Sequence, residues 1–279
     1  MREGMVQRGV TGIFFVVVML GGLYGGKYSF VILFAIVTGL CLWEFLSLTL
    51  QKDSLSNLAR KIFGTIFGLL PFVFISIVQL KWVLQPQDYV PLLAILFFPL
   101  MFLSFIFELF TTDKYPFNNI GVIILGMAYI GIPFALLSFI AFEGEYFYAN
   151  TIFGLLTMTW ANDTGAYLVG SRFGKHKLFA RISPKKTWEG TAGGIAVTLL
   201  LSLVYGFFFR ELTVWNWLVL GFIVSIFGSI GDLVESMLKR SLDIKDSGSI
   251  LPGHGGLLDR FDAFIFLIPF ASAYILWVR

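Results

Sequence analysis

Val214-Trp215-Asn216-Trp217-Leu218-Val219-Leu220-Gly221-Phe222-Ile223-Val224-Ser225-Ile226-Phe227-Gly228-Ser229-Ile230 runs without a charge and then passes directly into Gly231-Asp232-Leu233-Val234-Glu235-Ser236. Crossing the hydrocarbon core of a bilayer takes about 17–25 mostly apolar residues. The stretch therefore reads as a membrane helix whose polar continuation emerges on one face. Eight further stretches qualify, giving spans at 6–24, 29–50, 62–80, 90–107, 120–141, 152–169, 192–209, 214–230 and 261–278. The first is short and rich in Gly. Composition agrees: of 279 residues 57% are hydrophobic, 18% aromatic and only 13% charged, with 32 Phe and a mean hydropathy of +0.85. Soluble chains carry roughly a quarter charged residues, so this chain could not cover its own surface in water. A soluble enzyme, a disordered protein and a nucleic-acid-binding domain are excluded. The expectation is an all-α, polytopic integral membrane protein of about nine transmembrane helices.

Pro71, Pro99, Pro133 and Pro269 fall inside spans, which membrane helices tolerate when neighbours satisfy the freed backbone groups. Trp82, Trp215, Trp217 and Trp277 stand near span ends, as interfacial aromatic residues do. The opening segment, flanked by Arg2 and Arg8, lacks an Ala-x-Ala-like cleavage site and is read as a retained first span. Cys41 lies in an apolar run. One thiol makes neither an intrachain disulfide nor a Cys-rich zinc site, so it is read as a core or lipid-facing residue.

Loops placed alternately on two sides put 16 of the 20 Lys and Arg on the side of the N-terminus. Lys27, Lys81, Arg210 and Arg279 take the other. The positive-inside rule makes the rich side cytoplasmic. Both long polar segments, 170–191 and 231–260, return to that face. The chain thus divides into a hydrophobic N-terminal region of about five spans, 1–150, and a catalytic region of about four spans and two polar loops, 151–279.

A helix continued through 231–243 places Asp232, Glu235, Ser236, Lys239 and Asp243 on one face. An acid so close to hydrocarbon is costly and faces a cavity or a partner. Next comes Lys245-Asp246-Ser247-Gly248-Ser249-Ile250-Leu251-Pro252-Gly253-His254-Gly255-Gly256, where small residues let backbone N–H groups approach an anion. Leu257-Leu258-Asp259-Arg260-Phe261-Asp262 reads as the opening turn of the last span, and a helix N-terminus favours phosphate. Asp232, Asp259 and Asp262 are hard-oxygen donors suited to Mg²⁺. Asn162-Asp163-Thr164-Gly165-Ala166-Tyr167 places another acid inside a span. Ser183-Pro184-Lys185-Lys186-Thr187-Trp188-Glu189-Gly190 is read as a basic turn whose Lys and hydroxyl groups can bind phosphate. His176 is read as a solvated loop residue, and Glu44 and Glu108 as reaching the interface from span ends. Gly64-x-x-x-Gly68 and Gly190-x-x-x-Gly194 permit close helix packing, within or between subunits.

The ordered string Ser236-x-x-Lys239-Arg240-x-x-x-x-Lys245-Asp246-x-Gly248-x-x-x-Pro252-Gly253-His254-Gly255-Gly256-x-x-Asp259-Arg260-x-Asp262 resembles the signature of the phosphatidate cytidylyltransferases, the CDP-diacylglycerol synthases. The 162–167 and 183–190 motifs are similar to that family's accompanying motifs. The resemblance is strong only in the C-terminal region; 1–150 agrees in being hydrophobic spans. It implies a bacterial-type inner-membrane nucleotidyltransferase, its site facing the cytoplasm, that joins CTP and phosphatidic acid into CDP-diacylglycerol and pyrophosphate. It also implies Mg²⁺, a nearby K⁺, membrane lipid around it and a homodimer. The catalytic candidates are Asp232, Lys239, Asp246, Asp259 and Arg260. Substrate contacts are assigned to Ser183, Lys185, Lys186, Thr187, Ser236, Arg240, Lys245, Gly253, His254, Gly255 and Gly256. Metal ligation is assigned to Asp232 and Asp259, with Asp262 and Asp163 in support. The competing readings are a CTP-dependent lipid kinase and a transporter. A transporter needs polar groups reachable from both faces, whereas these crowd one.

Overall fold

A computed structural model describes residues 2–50, 55–81, 89–111, 114–248, 250 and 255–279. Gly253, His254, Pro252 and Trp82 lie outside the described residues. Ten α-helices follow in order: α1 Arg2–Tyr24, α2 Lys27–Thr49, α3 Leu55–Gln79, α4 Tyr89–Leu109, α5 Pro116–Gly126, α6 Ile132–Ala141, α7 Ala149–Phe173, α8 Trp188–Phe208, α9 Val214–Ser241 and α10 Leu258–Val278. The protein is an all-α membrane protein with two small antiparallel hairpins. One pairs β1 (Phe142–Glu143) with β2 (Tyr146–Phe147), the other β3 (Lys177–Phe179) with β4 (Ser183–Thr187).

Among the described residues, six helical segments are long and apolar enough to cross a membrane: α2, α3, the joined α5–α6 segment Pro116–Ala141, α8, α9 and α10. Gly9–Tyr24 of α1 and Phe97–Leu109 of α4 are further apolar stretches. α7 is 25 residues long, but Asn162, Asp163, Thr164 and Arg172 dilute its hydropathy. A helix stands at each of the nine stretches read from hydropathy, and among the described residues six segments have the length and apolarity of a span.

Three local readings need correction. The 120–141 span is not one regular helix: α5 and α6 are joined by a π-helical turn, Met127–Gly131. The cause is Pro133, whose ring clashes with the carbonyl four residues back and which has no N–H to donate. The helix through 231–243 ends at Ser241, and Asp243 sits in the left-handed region at φ 54°, off the polar face. Within 170–191, α7 continues to Phe173 and Ser183–Thr187 is a strand rather than a turn, with Lys177 opposite Thr187 and Phe179 opposite Ser183.

The four C-terminal helices pack in sequence, α7 on α8, α8 on α9 and α9 on α10, and α10 also packs on α6. The small-residue pairs serve contacts within the chain. Gly190 of α8 lies against Gly170 and the Ala166 carbonyl of α7, and Gly68 of α3 lies against Leu42 of α2 and Gly131. Thr187 caps α8 by accepting the Gly190 N–H at 3.2 Å, and Thr213 caps α9 by accepting the Asn216 N–H at 3.2 Å. With 28 residues α9 is about 42 Å long at 1.5 Å per residue. That exceeds a hydrocarbon core of roughly 30 Å, so its polar end from Asp232 stands at and beyond the interface. Cys41 is fully buried among apolar neighbours.

Candidate active site

α7, β4, the polar end of α9 and the first turn of α10 enclose a cavity of about 680 Å³. That is the size of a small-molecule site. Asp163, Asp232, Asp259 and Asp262 all line it, together with Lys185, Lys186, Thr187, Lys239, Asp246 and Arg260. Ten of the residues singled out from sequence therefore share one chamber, although they come from segments as far apart as 163 and 262.

Two lysines, paired with three carboxylates, order its walls. Lys186 Nζ on β4 lies 2.6 Å from Asp232 Oδ2 on α9 and 3.5 Å from the Ser229 carbonyl. Lys239 Nζ lies 2.6 Å from Glu235 Oε2 and 2.8 Å from Asp259 Oδ1, so one ammonium bridges α9 and α10. Glu235 is 0% exposed. A buried carboxylate of this kind is tolerable only because Lys239 neutralises it.

Asp259 organises the loop before α10. Its oxygens accept the Ser247 N–H at 2.9 Å and the Gly256 N–H at 3.0 Å, as well as Lys239. Asp262 accepts the Ala263 N–H at 2.6 Å, and Ser236 Oγ donates to Asp232 at 3.3 Å, one turn away on α9.

The remaining described candidates, Ser183, Ser236, Arg240, Lys245, Gly255 and Gly256, stand apart from the cavity wall. Arg240 is exposed and its Nε points to the Ile182 carbonyl at 3.5 Å, tethering the end of α9 to the hairpin. Lys245 is exposed in the loop, Ser183 begins β4, and Gly255 and Gly256 flank the Asp259 carboxylate. His176 is exposed but bonded: its Nδ1 lies 2.6 Å from Glu189 Oε1, and its backbone N–H also points at Glu189.

Glu44 and Glu108, which the sequence places near span ends, are both buried within the protein, at 4% exposed. Glu108 on α4 pairs with Arg60 on α3, whose Nη2 lies 2.8 Å from Oε2, and Asn57 accepts from Nη1 at 2.6 Å. Glu44 on α2 accepts the Leu258 N–H at 2.7 Å, at the start of α10. Sequence reasoning also passed over Asn162, Ser229 and Lys177 as cavity residues. For the two glutamates a signal existed, since an acid within an apolar span is costly unless it has a partner.

Among the described residues no three acidic, histidine or cysteine side chains converge closely enough to form a metal shell by themselves. The donor set still suits Mg²⁺, which takes one or two carboxylates and completes its octahedron with waters and substrate phosphates. Asp163, Asp232 and Asp262 offer hard oxygens to one chamber that also holds the lysines a polyphosphate needs.

Comparison with known proteins is consistent along the chain. Residues 6–278 match the family model described as the cytidylyltransferase family. A protein named phosphatidate cytidylyltransferase from Bacillus subtilis (strain 168) is 38% identical over 268 residues, covering 95% of this chain and 96% of that protein. One of the same name from Staphylococcus aureus (strain COL) is 34% identical over 277 residues, covering 98% and 99%. A third, from Staphylococcus haemolyticus (strain JCSC1435), is 41% identical over 187 residues, covering 63% and 68%.

Proposed function

We infer the reaction from family and site together: the chain belongs to the cytidylyltransferase family, and it transfers the cytidylyl group of CTP to phosphatidic acid, giving CDP-diacylglycerol and pyrophosphate. The observation that carries this reading is the single cavity that gathers Lys185, Lys186, Lys239 and Arg260 with four aspartates, open at the polar ends of membrane helices. A phosphatidate oxygen attacks the α-phosphorus, forming the new P–O bond as the bond to the β-phosphate oxygen breaks, and pyrophosphate departs. The attacking phosphate is already anionic, so the site needs charge neutralisation and alignment more than a general base.

Lys186 on β4 faces α9, and Lys185 beside it lines the same cavity; both neutralise phosphate there. Lys239, held by Glu235 and Asp259, presents its charge from the opposite side. Asp232, with Asp163 and Asp262 in support, would hold Mg²⁺; Asp259 would support the same shell from the loop side, and the K⁺ implied by the resemblance would belong to this acidic wall. Bound there, Mg²⁺ would supply charge stabilisation during phosphoryl transfer. In binding, Lys186 exchanges its contact with Asp232 for a substrate phosphate.

The resemblance and the charge asymmetry support the wider setting. Nine crossings, with α1, α4 and α7 counted beside the six apolar segments, put both polar segments on one face. That face is the cytoplasmic side of the inner membrane, by the excess of Lys and Arg there. The assembly is a homodimer, on the resemblance alone.

CTP labelled at the α-phosphate, supplied with phosphatidate and Mg²⁺ to the purified protein, tests the reaction. Label enters the lipid fraction, and γ-label appears only in pyrophosphate. Lipid labelled from the γ-position alone would replace this reading with a lipid kinase.

A further inference from the structure

Glu44 belongs to α2, far in sequence from the signature segment, yet its carboxylate lies behind the loop that carries that signature. Oε2 accepts the Leu258 N–H at 2.7 Å. The N-cap residue of α10, Leu257, offers no side-chain acceptor, so this first-turn donor would otherwise be buried without a partner. A carboxylate there also complements the positive end of the helix dipole.

The same carboxylate explains Gly248 and, together with Ser247 Oγ and the Gly248 backbone N, crowds Gly256. A Cβ added to Gly248 would meet Glu44 as its three nearest atoms, with Cδ at 2.9 Å, and a Cβ on Gly256 would stand 2.7 Å from Glu44 Oε2. On the cavity side Asp259 accepts the Ser247 and Gly256 N–H groups. The flanks of the loop, 247–248 and 255–258, are thus clasped between two carboxylates, Asp259 in front and Glu44 behind.

We infer that Glu44 is a positioning residue for the reaction: by holding the Gly248 and Leu258 flanks of the loop, it sets where Asp246, Asp259 and Arg260 stand against the phosphates. The inference rests on the reading of this cavity as the site of cytidylyl transfer.

The test uses the full-length protein in detergent, with transfer from α-labelled CTP measured per folded molecule. Glu44→Leu loses about tenfold or more in kcat, the scale of one lost charge-assisted hydrogen bond. Glu44→Gln keeps an oxygen for the Leu258 N–H and stays within about threefold of the unmodified protein. Gly248→Ala pushes the Glu44 carboxylate aside and loses activity as Glu44→Leu does; the double variant is no worse than the worse single one. Amide hydrogen exchange over 255–260 quickens in Glu44→Leu and Gly248→Ala, and not in Glu44→Gln.

Unchanged kcat in Glu44→Leu, or losses that multiply in the double variant, would overturn the inference. If Glu44→Leu does not fold, Gly248→Ala and Glu44→Gln decide it: equal activity in the two is the overturning result. An unmodified protein that fails to transfer label sinks the proposed reaction instead, and exchange at 255–260 then still decides whether Glu44 holds the loop.

Discussion

Lys186 Nζ stands 2.6 Å from Asp232 Oδ2, joining the hairpin strand β4 to the polar end of α9 across the mouth of the cavity. Both side chains are about a third exposed or less, at 26% and 32%. The pair therefore keeps two opposed groups in place without the desolvation that would lock them together.

Asp232→Asn removes a hard anionic oxygen and leaves the side chain's shape. Turnover should fall by about a hundredfold or more while folding and insertion persist. Activity measured against Mg²⁺ concentration checks it, since near-normal turnover in ordinary Mg²⁺ would remove Asp232 from the metal shell. Asp259→Asn should also abolish turnover, with an added loosening of the loop it anchors. Removing Mg²⁺ with a chelator should stop transfer in the unmodified protein, and adding the ion back should restore it.

Lys239 balances a carboxylate that has no other charge partner among the described residues. Lys239→Met should destabilise the fold by about 3 kcal/mol, because Glu235 would remain buried and uncompensated. The double variant Lys239→Met/Glu235→Leu should recover most of the lost thermal stability and none of the activity. Thermal unfolding in detergent beside the labelled-CTP assay separates the two effects.

The Arg60–Glu108 pair lies between α3 and α4 and away from the cavity. Glu108→Ala should cost about 3–5 kcal/mol by stranding a buried guanidinium. Per folded molecule kcat should be unchanged, since neither residue touches the chemistry. A drop in kcat without a drop in unfolding temperature would contradict the separation.

Topology can be read with single cysteines. Lys177→Cys and Lys245→Cys, both exposed, should be labelled in sealed vesicles only from the cytoplasmic side, and Glu145→Cys in the β1–β2 turn only from the other. Cys41 is buried and gives little background. Labelling of Lys177→Cys and Glu145→Cys from the same side would break the parity of the nine-crossing arrangement.

Much of the site was legible from spacing. Asp232 and Lys239 fall on one face of a helix by period alone, and Asp259 and Asp262 fall on one face of the next. The even number of crossings between 170–191 and 231–260 required the two segments to meet on one side, and they share a cavity. The π-turn at Met127–Gly131 was not legible, although Pro133 marked its neighbourhood. Hydropathy also misread Glu44 and Glu108, because it scores each acid by its own cost of burial and is blind to a partner on another helix.

The apolar segments, the polar face of α9 and the family signature follow from the order of residues alone. These depend on transfer energies and local periods, which are properties of neighbouring residues. The tertiary structure alone decided that Glu44 of α2 caps α10, that Lys239 bridges Glu235 and Asp259, and that Lys186 rests on Asp232. Each of these depends on how helices are rotated against one another, which is set by packing over the whole bundle. A carboxylate and an N–H separated by 214 positions leave no pattern in the chain until the fold brings them within 2.7 Å.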